Sequence, residues 1–451
     1  MTKDKLRLSP TILFFLFVCL KLQAQDPQLN YLPENRKHIE NYLKSIEQHR
    51  LATLDGDNIS EKRKIYREKT EKFIQNIQDS VFIFGASLTE NLKPLLQRIY
   101  KGNPQIDTDN HYFFFHRSSI PNAACYGDGS FAINMGMFTY LENDDELAFI
   151  LSHEMAHLLL NHVNKKAERY IDTINSKAIR EKSKAIKKQR YNTIRDGRAL
   201  VKDLTYELMS HSRHAEAQAD SLGLILLKNT GYNPHAALSA LTKLGKLEQI
   251  RFIKASKIDS ILNFESFPFR LNWIEEEETL FNISESSNDY AFDKDSLKTH
   301  PEIPYRLEKL HMEHQIEESQ NTTNYLPQLK QLAKKQQLHT LLDFNQLDLA
   351  LYESLIMIQD QQEHREGVVK TAVTLKKMYL AKKRHKMGKY VPQSSPFSEE
   401  IHLNRIRSFV HKLELKHIRK IGYYFCHRYG AIAGDHIEFL DAKDFFESLN
   451  Q

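Results

Sequence analysis

LSHEMAHLLLNH, Leu151 to His162, packs three histidines and a glutamate into twelve residues. His153 and His157 are four apart, so on a helix they lie one turn apart on one face. Two imidazoles so placed converge on one cation with metal–nitrogen bonds of about 2 Å. Glu154 follows the first of them and points beside that cation, where a carboxylate can take a proton from water. Zinc lowers the pKa of water from ~15.7 to ~7, so a carboxylate base suffices at neutral pH. Asn143 with Glu146 three residues later reads as a capping box, and the apolar run behind it predicts a long buried helix carrying the motif.

His162 follows His153 by nine residues, about 180° around a continuous helix, and is expected to face away as a cap or surface residue. The metzincin pattern would need a glycine where Leu160 stands and a histidine where Val163 stands. A better third ligand lies downstream in SRHAEAQAD, Ser212 to Asp220. Glu216 and Asp220 share a helix face with Arg213, while His214 sits about 200° from Glu216 and points elsewhere. His211 stays open as a metal neighbour. Glu216 would complete a His2Glu set with one open position, the build of a catalytic zinc centre. Asp220, one turn on, is placed to accept the outer N–H of a ligand histidine.

The rest of the chain sets the context. At 451 residues with 41 % hydrophobic content, two or three domains with real cores are expected. The net charge of +5 is too small an excess to argue for nucleic acid. Lys3, Lys5 and Arg7 precede the apolar run TILFFLFVCL, and a cut after Ala24 reads as a cleaved export signal. No later stretch has the eighteen consecutive apolar residues of a membrane span. Cys125 and Cys426 would be the remaining cysteines, either paired or free, and they exclude a thiolate-based metal site.

Along the chain, residues 25–80 read as an N-terminal helical segment. HYFFFHR, His111 to Arg117, and SFAINMG, Ser130 to Gly136, read as strands. Lys165 to Lys202 carries thirteen Lys and Arg against four acidic residues, a basic helical insertion that either faces solvent or meets an anionic partner such as a membrane surface. Gly231 and Pro234 bracket the change from one helix to the next. Beyond Tyr325 the pattern is helical, with a repeat-like character but no clear period.

HEMAH, followed 59 residues after its second histidine by Glu216 in S-R-x-x-E-x-x-A-D, resembles the gluzincin zinc metallopeptidases of the HtpX and CAAX-prenyl-protease type. Asn122-Ala123 with the strand to Gly136, DELAFILSHE, GYNPHAAL and THPEIPYRLEKL, Thr299 to Leu310, resemble further family segments in the family's order. Together they cover roughly residues 120–310. The absence of later apolar spans makes the chain most similar to the soluble exported, BepA-like members.

The resemblance implies Zn2+, one per chain, on His153, His157 and Glu216, with Glu154 as general base and Asp220 behind a ligand. It also implies a role near the metal for His300, which would either fill the open position or donate to an oxyanion. The alternative for His300 is capping the helix that Pro301 begins. Arg306 is read as anchoring that helix, with contact to substrate as the alternative. Gly127-Asp128-Gly129 stands where the family has Pro-Gly-Gly, which leaves cleft shape open.

The expected fold is mainly α (α+β). A metallopeptidase domain at 81–320, with the insertion at 165–202, would have a small sheet whose edge strand, Phe131, Ala132, Ile133 and Asn134, binds an extended peptide beside the HExxH helix. A C-terminal α-helical domain at 325–451 would bind partners or act as a lid. The expected activity is zinc-dependent endopeptidase action on exported or envelope proteins, most simply in a bacterial periplasm. The rival is a chaperone-like module with a latent or structural zinc site.

Overall fold

The computed structural model describes residues 30–107, 111–189, 193–246, 252–275, 303–316, 326–361, 364–393 and 400–450. The expected export signal and His300 lie outside these residues.

An N-terminal hairpin of α1 (Arg36–Ala52) and α2 (Ile59–Gln78) leads into β1 (Phe82–Ile83), then α3 (Ala86–Gly102). Strands β2 (Tyr112–His116), β3 (Ala123–Cys125) and β4 (Ser130–Asn134) follow, and a short helix α4 (Met135–Tyr140) leaves the sheet. The sheet order is β1-β2-β4-β3, with β2 and β4 parallel and β3 antiparallel to β4.

Both faces of this sheet are covered, which is why β2 reads as a continuous aromatic run. Phe114 and Ala132 pack on the α1–α2 hairpin with Ile39, Leu43 and Phe73. Phe115, Phe131 and Ile133, one residue along, face the opposite way into the core of the metal-ligand helix. The expected edge strand is corrected here. Phe131 to Asn134 lie in β4, hydrogen-bonded on both sides, and the edge beside the site is β3. Both segments are short and apolar, and only pairing order separates inner strand from edge.

The helix α5 (Asp144–Leu159) carries HEMAH, and thirteen of its residues are buried. Its cap departs from the expected box in one respect. Asn143 accepts from the Glu146 N–H at 3.0 Å, but the Glu146 carboxylate reaches back to the N–H of Glu142, at 2.7 Å. Next come α6 (His162–Asn175), α7 (Lys177–Lys188), the 36-residue α8 (Thr193–Lys228) and α9 (Ala236–Gly245). Helix α10 (Ile303–Glu313) packs on α8 and α9.

The C-terminal part is built from α11 (Leu326–Asp343), α12 (Leu347–Asp360), α13 (His364–Lys383), α14 (Ile401–Lys412), α15 (Leu415–Ala433) and α16 (Ile437–Ser448). The turns after α11, α13 and α15 each hold one residue with positive φ: Asn345, His385 and Gly434. The first and third of these reversals lay consecutive helices side by side, α11 on α12 and α15 on α16, while the one at His385 leads into the single helical turn Met387–Tyr390. The boundary at 320–325 is less clean than the sequence suggests. Leu326, Leu329 and Ala333 of α11 belong to the core of the sheet and α5, while Leu338, Leu341 and Leu342 of the same helix pack on the C-terminal helices. The segment 252–275, expected inside the metallopeptidase domain, gives Phe252, Leu262, Phe267 and Trp273 to the C-terminal core. Apolar residues in a loop-like stretch do not announce which of two cores they join.

Among the described residues, no helix is long and apolar enough to cross a membrane.

Candidate metal centre

Helices α5 and α8 cross where Gly223 meets His153. A Cβ on Gly223 would stand 3.0 Å from both the Cα and the N of His153. That close approach brings Glu216, two turns earlier on α8, opposite the HEMAH face. The Nε2 atoms of His153 and His157 lie 3.0 Å apart, and each is 3.5 Å from a Glu216 carboxylate oxygen. A tetrahedral zinc with bonds of about 2.0–2.1 Å needs ligand–ligand edges of about 3.3 Å, so these donors fit. Two imidazoles and a carboxylate also match zinc's ligand preference. Among the described residues, they are the group of His, Cys, Asp and Glu side chains able to converge on one ion.

Behind them sits a buried electrostatic frame. The Nδ1 of His153 is 2.9 Å from the Oδ1 of Asp220, which is 1 % exposed. Arg306 of α10 donates to both oxygens of Asp220, at 2.5 and 2.6 Å, and its third nitrogen lies 3.1 Å from the Glu216 carboxylate. Arg306 therefore ties α10 to α8 through two carboxylates. Its placement in THPEIPYR did not reveal that pairing, because the partner residues lie 86 and 90 positions away. Burial opposes the charged form of His153, but hydrogen bonds to Asp220 and Glu216 outweigh it and raise the pKa to about 10. His157, buried and next to that charge, is pushed down to about 3 and presents a neutral ring. Burial would raise the Asp220 pKa, yet Arg306 and His153 hold its carboxyl below the usual range.

Glu154 points to the other side. Its Oε2 accepts the backbone N–H of Cys125, at 2.7 Å, so the carboxylate is anchored to the edge strand. The flanking bonds Tyr126 N–H to Ser130 O and Asn134 N–H to Asn122 O set the alternation along β3. Ala124 then pairs with β4, while the backbone groups of Ala123 and Cys125 point outward. Cys125 and Cys426 are both free thiols. Burial, then the Glu154 charge, push the Cys125 thiol up, so it is protonated at neutral pH and unsuited to attack.

His162 corrects the helical projection. α5 ends at Leu159, and Asn161 takes a left-handed backbone, φ 55°, before α6 begins. The turn folds His162 back, and its Nδ1 lies 3.1 Å from the Nδ1 of His157. A projection by 100° per residue holds only while the helix continues. Asn164 stitches the turn by donating to Gly127 O at 2.8 Å and Asn161 Oδ1 at 2.7 Å.

The three donors, Glu154, Cys125 and His162 open on a cleft of about 450 Å³ between β3, α6 and the stretch of α8 around Glu216, with Asp220 and Arg306 buried behind it. Its α6 wall carries Lys165, Lys166 and Arg169, and His211 and His214 line it from α8. His211 is thus a cleft residue outside the converging donor set.

Comparison with known proteins agrees with this architecture. The chain is 23 % identical over 186 residues to the Beta-barrel assembly-enhancing protease of Yersinia pestis, covering 38 % of this chain and 35 % of that protein. It is 24 % identical over 174 residues to the protein of that name in Escherichia coli K12, covering 37 % and 34 %. It is 26 % identical over 128 residues to the Mitochondrial metalloendopeptidase OMA1 of Arabidopsis thaliana, covering 28 % and 24 %. The match spans about a third or less of each relative's length. The model of Peptidase family M48 matches residues 86–314, just over half of the chain. That span runs from α3 to the end of α10 and holds the converging donors, Glu154 and the Asp220–Arg306 pair, so the chain belongs to Peptidase family M48.

Proposed function

We propose that this protein is a zinc-dependent metalloendopeptidase that holds its metal on His153, His157 and Glu216. The observation that carries the reading is the triangle of donors at 3.0, 3.5 and 3.5 Å with a carboxylate, Glu154, beside it and outside it. A purely structural zinc has no use for such a base. When bound, zinc supplies Lewis acidity that makes water more acidic and a carbonyl more electrophilic.

The chain's own residues do the rest. An extended peptide adds to β3 through the outward backbone groups of Ala123 and the carbonyl of Cys125, which lays the scissile bond across the cleft. The Cys125 N–H is given to Glu154. Glu154 takes the proton of the attacking water and hands it to the leaving amine. Asp220 fixes the His153 ring, and Arg306 balances the charge of Asp220 and Glu216. Lys165, Lys166 and Arg169 favour peptides with acidic side chains near the cleavage point. Exported or envelope proteins are the substrates we assign, by analogy with the relatives' name. The α7 helix, with six Lys and Arg against Glu181 and no buried residue, is the surface we assign to an anionic partner such as a membrane.

The test is cleavage of casein by the parent and by Glu154→Gln, with the zinc content of both measured. We expect one zinc in each and cleavage by the parent alone. Zinc in both with cleavage in neither would favour a binding module, and zinc in neither would overturn the reading.

A further inference from the structure

His157 offers Nε2 to the donor triangle, which leaves Nδ1 as its outward nitrogen. That nitrogen faces the Nδ1 of His162 at 3.1 Å, and the Nε2 of His162 faces the Oε1 of Gln218 at 3.2 Å. His162 is 9 % exposed, held by the Asn161 turn, and Gln218 stands two residues after Glu216 on α8. A neutral imidazole has one N–H and one lone pair, whereas an amide oxygen only accepts. A histidine that gives Nε2 to a cation carries its proton on Nδ1. The contact with His162 is then a hydrogen bond only if His162 has its lone pair on Nδ1 and its proton on Nε2. Gln218 Oε1 accepts that proton. Reversing the polarity would put the His157 proton on Nε2 and remove the metal lone pair.

We propose that His162 and Gln218 form a positioning relay that selects the metal-binding tautomer of His157 and fixes its ring. The inference rests on the metallopeptidase reading above. His162 is not itself a ligand, because it meets His157 on the side of the ring away from the donor triangle. The two ligand histidines are thus held differently, His153 by the Asp220 carboxylate and His157 by a neutral ring backed by an amide.

The experiment is a zinc dissociation constant, by chelator competition, for the parent, His162→Ala, Gln218→Met and Gln218→Glu. Losing an outer partner of a ligand typically weakens metal binding about 10–100-fold. We expect a loss in that range for His162→Ala and a smaller one for Gln218→Met. Gln218→Glu keeps an acceptor and should stay within about threefold of the parent. The double variant His162→Ala/Gln218→Met should be no worse than His162→Ala, since both act through one ring. A role in packing alone would not separate Met from Glu at 218. Histidine 15N NMR of the zinc-loaded parent gives a second readout, with His162 protonated on Nε2. Unchanged zinc constants in His162→Ala and Gln218→Met, or a proton on Nδ1 of His162, would overturn the relay. If His162→Ala does not fold, the Gln218 pair decides. A parent that binds no zinc would instead overturn the metallopeptidase reading.

Discussion

Replacing Arg306 by Met tests whether the site is held together by compensated charge. The guanidinium is 2 % exposed and faces Asp220, 1 % exposed, through two hydrogen bonds and Glu216 through one contact. Removing one partner of a buried pair leaves the other charge without compensation and typically costs about 3–5 kcal/mol. Methionine keeps the side-chain volume, so most of the loss is electrostatic. A domain of 150–250 residues loses about 2–4 °C per kcal/mol, which converts the loss to roughly 6–20 °C. The assay is thermal unfolding of chelator-treated protein, followed by far-UV circular dichroism and by tryptophan fluorescence. Trp273 is the single tryptophan and lies in the C-terminal core, so its signal should move less than the helical signal. Asp220→Asn removes the charge that Arg306 balances and keeps an acceptor for His153. The double variant should therefore be more stable than the sum of the single losses, by about 1–3 kcal/mol. Saturating zinc should also shrink the loss, because a dication compensates Glu216. A loss below about 1 kcal/mol in metal-free protein would refute the assignment of Arg306 as the compensating charge.

Gly223→Ala should force α8 away from His153, at a cost of about 1–3 kcal/mol, and weaken zinc binding, whereas Gly388→Ala, with open space around its Cβ, should leave both unchanged. Reversing the cleft wall with Lys165→Glu/Lys166→Glu/Arg169→Glu should lower kcat/KM for acidic peptides by about tenfold or more at low salt and less at high salt, with neutral peptides little changed. An equal effect on both peptides would discard the charge preference. In the C-terminal core, Lys370 is fully buried and lies 2.5 Å from Glu438. Burial works to raise the Glu438 pKa, but the Lys370 bond outweighs it and holds it below its ordinary 4.5. A carboxyl depressed on folding contributes stability above its unfolded pKa and loses it as the pH falls through the lower folded value. Trp273-monitored stability should therefore decline below about pH 4.5, and Glu438→Gln should be less stable at pH 7, by about 1–3 kcal/mol, with a flatter acid limb. An unaltered acid limb in that variant would remove Glu438 as the cause.

Periodicity and local chemistry made part of this protein legible in its sequence. Spacing of four puts His153 and His157 on one helix face, and Glu216 and Asp220 on another, whatever surrounds them. The helical character of the C-terminal part and the strands at Tyr112–His116 and Ser130–Asn134 could be read for the same reason, because each is a local backbone preference. Gly223 inside an apolar helix is a local signal of close packing, here against His153. Three features depended on how elements meet. The pairing order made β3, not β4, the edge, since two short apolar strands look alike until a neighbour is assigned. A single left-handed residue, Asn161, turned His162 from the far face of a helix onto His157. Arg306 found Asp220 and Glu216 across 86 and 90 residues of chain, and 252–275 joined the more distant of two cores. Local spacing determined which side chains share a face; tertiary packing alone decided which faces meet, because contact energy depends on distance in space and carries no record of separation along the chain.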